Sequence, residues 1–141
     1  MTSSFPTVIP MLAYENGIKA MEWLAKAFGF VESTKMVENG VLVHGEMIAG
    51  NGLIMLATPT PDYQSPKHHR ESCKQAEKWS KSPWIIDGVL VYVNDLESHF
   101  KQAKASGGNI LSEIETGDPG KRYRVEDLEG HRWFFFEQER E

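Results

Sequence analysis

Short apolar runs alternate with polar turns along this chain, and the order in which they come is its most informative property. Residues 7–13 (Thr-Val-Ile-Pro-Met-Leu-Ala) predict a short strand, with Pro10 at an edge or bulge because it lacks a ladder donor. Asn16-Gly17 breaks that strand. From Ile18 an apolar stripe runs through Met21, Leu24, Ala25 and Phe28 at helical spacing, and Gly29 stops it. Residues 30–37 and 41–48 predict two strands joined at Asn39-Gly40, a strong hairpin turn. After Gly50-Asn51-Gly52, residues 53–57 form a third apolar strand. The first block is β-α-β-β-β.

The same order starts again at Gly88. Residues 88–93 predict a strand, Asn94-Asp95 cap a helix, and Leu96, Phe100, Ala103 and Gly107 follow at helical spacing before Gly107-Gly108 ends it. Residues 109–116 form a strand and Gly117-Asp118-Pro119-Gly120 a loop. The closing hairpin pairs residues 121–126 with 131–137 across the turn Asp127-Leu128-Glu129-Gly130, where Gly130 is suited to a left-handed conformation. In its second strand Trp133 and Phe135 point one way, and Arg132, Phe134 and Phe136 the other. One face should meet helices and the other line a pocket. Between the blocks, residues 58–87 are polar and punctuated by prolines, with Ser65-Pro66 opening a helix expected over 66–79.

An internal repeat of this kind predicts one α+β domain over 1–141. Its modules are 7–57 and 88–138, with 58–87 as linker, and they form a curved mixed sheet around a pocket with helices outside. Composition narrows the partners. A net charge of −5 gives no electrostatic footprint for nucleic acid or an anionic membrane. No apolar run approaches the roughly 20 residues of a membrane-spanning helix. Cys73 is the single cysteine, which excludes a disulfide within the chain and a cysteine-rich zinc site. Residues 1–6 lack the basic-then-apolar pattern of a secretion signal, so the expected location is the cytoplasm.

Several polar groups are candidates for chemistry. His44 and Glu46 lie two apart on one strand and share a face. If Met47 packs beneath the helices, the pair points into the pocket as a general base with an orienting carboxylate, or as two metal ligands. The alternative is a solvated strand face. Tyr123, Arg124 and Arg132 could donate hydrogen bonds at the pocket mouth, where a guanidinium favours an anion. The parity of 121–125 leaves open whether Tyr123 or Arg124 faces inward. Met55, Phe134 and Phe136 would give an apolar lining, or simply fill the core. His69 and Cys73 fall on one face of the expected linker helix, too few for a metal site. His131 would pack the hairpin, and His99 would face solvent.

The repeated order, the segment Gly88-Val89-Leu90-Val91-Tyr92-Val93-Asn94-Asp95-Leu96 and the segment Glu126-Asp127-Leu128-Glu129-Gly130-His131-Arg132-Trp133 resemble the vicinal oxygen chelate superfamily. That superfamily includes glyoxalases, bleomycin-resistance proteins and extradiol dioxygenases. Leu128 stands where proline is usual in its hairpin. The resemblance implies up to four metal ligands, His or Glu, from the first and last strands of each block. Those positions fall on Val8, Met55, Gly88 and Phe134, which implies no metal cofactor here. It further implies a homodimer with pockets built across the interface. Two functions follow as expectations: metal-free binding of a small, partly apolar molecule, or a metal-dependent lyase or dioxygenase rearranged around His44 and Glu46.

Overall fold

A computed structural model describes residues 5–117 and 120–137 of the chain. Residues 1–4, Asp118 and Pro119 of the expected loop, and Gln138 at the expected end of the second module lie outside the described residues. The first module comprises β1 (Met11–Ala13), α1 (Gly17–Phe28), β2 (Val31–Glu38), β3 (Val41–Ala49) and β4 (Gly52–Ala57). The second comprises β5 (Gly88–Val93), α4 (Leu96–Ala105), β6 (Asn109–Glu115), β7 (Arg122–Glu126) and β8 (Arg132–Glu137), after the linker helices α2 (Pro66–His69) and α3 (Lys74–Ser80).

Each module makes its own four-stranded mixed sheet, in the orders β1-β4-β3-β2 and β5-β8-β7-β6. In both, the first strand pairs in parallel with the last and the other pairings are antiparallel. The repeat is therefore topological as well as sequential. Two sheets form where one curved sheet was expected, and they share one core on their helix-covered sides. β1 starts at Met11, later than residue 7, because Pro10 contributes only its carbonyl, which accepts from Met55 N at 2.9 Å.

The core is aromatic and joins the modules. Phe28, at the end of α1, packs edge-on to Phe135 and Trp133 with centroids 4.7 and 5.6 Å away. Trp23 Nε1 donates to the Ser106 carbonyl at 2.9 Å, tying α1 to the end of α4. His99 departs from expectation, because it enters this core. Its Nδ1 lies 2.6 Å from the Tyr123 hydroxyl, its Nε2 3.1 Å from the Phe28 carbonyl, and its ring 4.1 Å from that of Phe135. Two partners on opposite ring nitrogens suit a neutral imidazole, with Nε2–H donating to the carbonyl and Nδ1 accepting from the hydroxyl.

The β7–β8 turn holds the modules together. Asp127 is buried and accepts four hydrogen bonds: Tyr14 OH (2.6 Å) and Trp133 Nε1 (3.0 Å) on Oδ2, and the Glu129 and His131 amides (both 3.0 Å) on Oδ1. Burial, then the neighbouring Asp127 carboxylate, pushes the Tyr14 hydroxyl pKa well above its ordinary value, so it remains a donor. The Glu129 carboxylate accepts from the backbone amides of Glu15 (2.6 Å) and Asn16 (2.9 Å), just ahead of α1. His131 Nε2 meets the Ala13 carbonyl at 2.7 Å, so the histidine does pack the hairpin, against the other module. Gly130 takes φ +91°, and a Cβ there would stand 2.7 Å from the Lys67 amide nitrogen. This close approach lets the linker dock, with Lys67 N donating to the Glu129 carbonyl at 3.0 Å.

The expected linker helix over 66–79 is interrupted. Ser65 caps α2, but the Ser72 hydroxyl bonds the His69 carbonyl at 3.3 Å and Cys73 is extended at φ −130°, ψ 107°. Such local side-chain bonds compete with helix continuation. His69 and Cys73 therefore do not share a helix.

Two predictions follow from this core. Asp127→Asn turns an amide donor toward a site built of donors and should lower stability by about 2 kcal/mol, read from urea unfolding. Burial holds the His99 pKa below its ordinary value, outweighing the Phe28 carbonyl. The unfolded chain then takes up the proton first, so this contribution to stability is complete above about pH 6.5 and is lost progressively as pH falls below that value. The urea midpoint of His99→Gln should accordingly vary less with pH between about 5 and 7 than that of the parent.

Candidate binding faces of the two sheets

Because the helices cover one face of each sheet, strand parity places the remaining side chains on two open faces. On β3, Leu42, Gly45 and Met47 are buried toward α1, and Gly45 leaves room for the Met21 sulfur. The register shift between Met36 and Val37 accommodates the three-residue step from Leu42 to Gly45. His44 and Glu46 consequently lie on the open face, with Nε2 and Oε2 2.7 Å apart and side chains 35% and 23% exposed. Across this face Thr34, Glu46, Met55 and Met11 are aligned by register. A shallow apolar recess of about 200 Å³ is lined by Met11, Ala13, His44, Met55, Ala57 and Pro59, among others.

The second open face has three cross-strand rows. Gly88, Arg132, Glu126 and Asn109 form the first, Leu90, Phe134, Arg124 and Ser112 the second, and Tyr92, Phe136, Arg122 and Glu115 the third. Leu90 and Tyr92 are 48% and 57% exposed. With Phe134 and Phe136 they make an apolar shelf, the Tyr92 and Phe136 centroids 6.1 Å apart. The Arg124 guanidinium lies 5.5 Å from the Phe134 ring centre and donates to Ser112 Oγ (3.3 Å) and Glu115 Oε1 (3.0 Å).

Three of the expected positions change. Tyr123 faces the helices, fully buried against His99, so Arg124 is the member of that pair on the open face. Burial drives the Tyr123 hydroxyl pKa upward. Arg132 lies on the open side but is 2% exposed and fully engaged. Nε donates to Glu126 Oε2 (3.1 Å), and its terminal nitrogens donate to the Ser82 carbonyl (2.6 Å) and the Ser80 carbonyl (2.5 Å). Glu126 also accepts from Arg70 (2.9 Å) and Asn109 (2.9 Å). Burial works to raise the Glu126 pKa, but the bonds from Arg70 and Asn109 and the two arginine charges outweigh it, and the carboxyl is held low. This cluster binds the linker to the sheet.

The third change concerns Val8. It lies outside β1 and is 82% exposed, and the register neighbour of Met55 is Met11. Gly88 and Phe134 do come together: a Cβ on Gly88 would stand 3.1 Å from Phe134 Cζ, so the ring occupies the space a side chain at 88 would need. Met55 and Phe134 therefore sit on different sheets. Among the described residues no three His, Cys, Asp or Glu side chains cluster as metal ligands, and His44 with Glu46 supplies two donors. Leu90, Tyr92, Met11 and Arg122 were not foreseen on the open faces. Residues 88–93 are apolar throughout, apart from the Tyr92 hydroxyl, so only the parallel pairing with β8 tells which of them face out.

This paired-module architecture, with a helix covering one face of each four-stranded mixed sheet and the other face open, defines a glyoxalase-like protein. The sequence profile of the Glyoxalase/Bleomycin resistance protein/Dioxygenase superfamily matches residues 10–135, and the chain belongs to that superfamily. The crystal structure of TioX from Micromonospora sp. ML1 is similar at 26% identity and TM-score 0.68, covering 96% of this chain and 98% of that one. TnmS3, an antibiotic binding protein from Streptomyces sp. CB03234, is similar in fold at 10% identity and TM-score 0.62, covering 95% of this chain and 98% of its own. The fosfomycin resistance protein FosX from Listeria monocytogenes shares the fold at 9% identity and TM-score 0.64, with 95% and 93% covered. No curated protein matches the sequence. Among the described residues no helix is long and apolar enough to cross a membrane.

Glu126→Gln removes the charge that offsets Arg70 and the buried Arg132, and it should cost about 3 kcal/mol. Limited trypsin digestion should then cut faster at Lys74, Lys78 and Lys81 than in the parent.

Proposed function

We propose that this protein binds a small, partly apolar molecule on its open sheet faces without a bound metal, as a cytoplasmic homodimer whose second copy closes the site. The observation that carries this is the shelf of Leu90, Tyr92, Phe134 and Phe136, on which the Phe134 ring fills the place a ligand at position 88 would need. Gly88 has no donor atom, Phe134 and the Met55–Met11 pair offer nothing a hard or borderline divalent ion prefers, and the residues present do not fit the metal used by other superfamily members. The 200 Å³ recess beside Met55 is smaller than the roughly 300–1,000 Å³ of ordinary ligand pockets. Exposed Met11 (80%), Leu90 and Tyr92 suit a surface covered by a second copy. Antibiotic binding by TnmS3, as its name states, is in keeping with such a use of the fold.

A second reading, a metal-dependent lyase or dioxygenase, is favoured by one observation: the 2.7 Å His44–Glu46 pair beside an apolar recess. Metal analysis of the native protein separates the two. The binding proposal expects no stoichiometric Zn, Ni, Mn or Fe, and a sedimentation mass of two chains. With 2-naphthamide as a neutral flat probe, Phe134→Ala should weaken binding at least tenfold, or about 1.4 kcal/mol. Stoichiometric metal that disappears in His44→Ala and Glu46→Ala would replace the binding proposal with the catalytic one.

A further inference from the structure

The chain as a whole is acidic, with a net charge of −5, yet the open face of the second sheet is not. Its β7 column presents Arg122, Arg124 and Glu126 in successive rows, beside the apolar columns of β5 and β8. At one end of the face a single carboxylate, Glu126, serves two guanidiniums, those of Arg70 and Arg132. At the other end Glu115 bonds Arg124 at 3.0 Å, while Arg122 stands opposite Glu115 in the register and gives Nη1 to the Gly120 carbonyl at 3.2 Å. Among the described residues Arg122 has no carboxylate within ion-pair distance. Arg70 and Arg132 thus share one acid at the first end, while at the second Glu115 pairs with Arg124 and not with Arg122; beside them lies a flat apolar shelf, with Arg124 over the Phe134 ring. Glu115 is 46% exposed, so its pairing with Arg124 is screened by water and easily exchanged for a second anion.

We infer that the molecule bound here is a flat aromatic acid, its ring on Leu90, Phe134, Phe136 and Tyr92 and its carboxylate or equivalent anion between Arg122 and Arg124. This rests on the binding function proposed above and adds the chemical class. Guanidinium is the cation suited to the task, since its planar donors take a carboxylate in pairs while its face tolerates an adjacent ring. Charge complementarity argues against a cationic ligand, which would meet Arg122 and Arg124 along the β7 edge of the shelf.

Three probes sharing one ring and differing in charge test this on the intact chain by calorimetry: 2-naphthoate, 2-naphthamide and 2-naphthylmethylammonium. The expected order is naphthoate first, at least tenfold tighter than the amide, with the ammonium weakest. Arg124→Gln and Arg122→Gln should each reduce the preference for naphthoate severalfold, and together abolish it. A circular-dichroism spectrum and urea midpoint matching the parent show that the fold persists in these variants. Equal affinity for all three probes, or a preference for the acid that survives the double substitution, overturns the anionic class and leaves small-molecule binding standing. Failure of the parent to bind any of the three overturns both.

Discussion

One buried carboxylate with all its acceptor sites used governs this structure. Asp127 gathers a tyrosine from the first module, a tryptophan from the second and two amides of its own turn. A charge is tolerated in the interior only when donors surround it, so the geometry of these four groups must be met together. The same turn sends Glu129 to the amides ahead of α1 and His131 to the end of β1. A short hairpin turn thereby sets the position of the other half of the molecule.

That constraint decides which surfaces remain for function. With the two helices and the inner faces of both sheets committed to one aromatic core, the outward strand faces are what the fold leaves open. The first holds methionines and a His–Glu pair, the second an aromatic shelf edged with arginine. The linker is fastened beside the second face by Arg70 and Arg132, which meet on one carboxylate. Removal of that carboxylate would leave uncompensated charge where Arg132 has no water to turn to.

Membership of the superfamily specifies architecture more than chemistry, because one fold can carry unrelated sites. Here a Cβ at position 88 would stand 3.1 Å from Phe134 Cζ, so the glycine makes room for the phenylalanine ring. Gly88 and Phe134 act as one packed unit. Their pairing places an apolar surface at this point of the sheet.

What the sequence alone determined was the repeat, the turns and the class of fold. Those signals are local: Asn39-Gly40, the glycine after each helix, and apolar residues at helical or alternating spacing act within a few positions of one another. The alternation also set His44 with Glu46, and Phe134 with Phe136, on shared strand faces, without deciding whether those faces are covered. Only the tertiary structure decided the rest. His99 lies next to an amphipathic stripe and became interior because Phe28 of the other module offers it a ring and a carbonyl. The choice between Tyr123 and Arg124, open in the sequence, was made by the register that β8 imposes, and Arg132 was drawn from ligand to linker by carbonyls of residues 80 and 82. Partners fifty or more residues away leave no periodic trace in the chain, so burial of such polar groups is settled only when the modules meet.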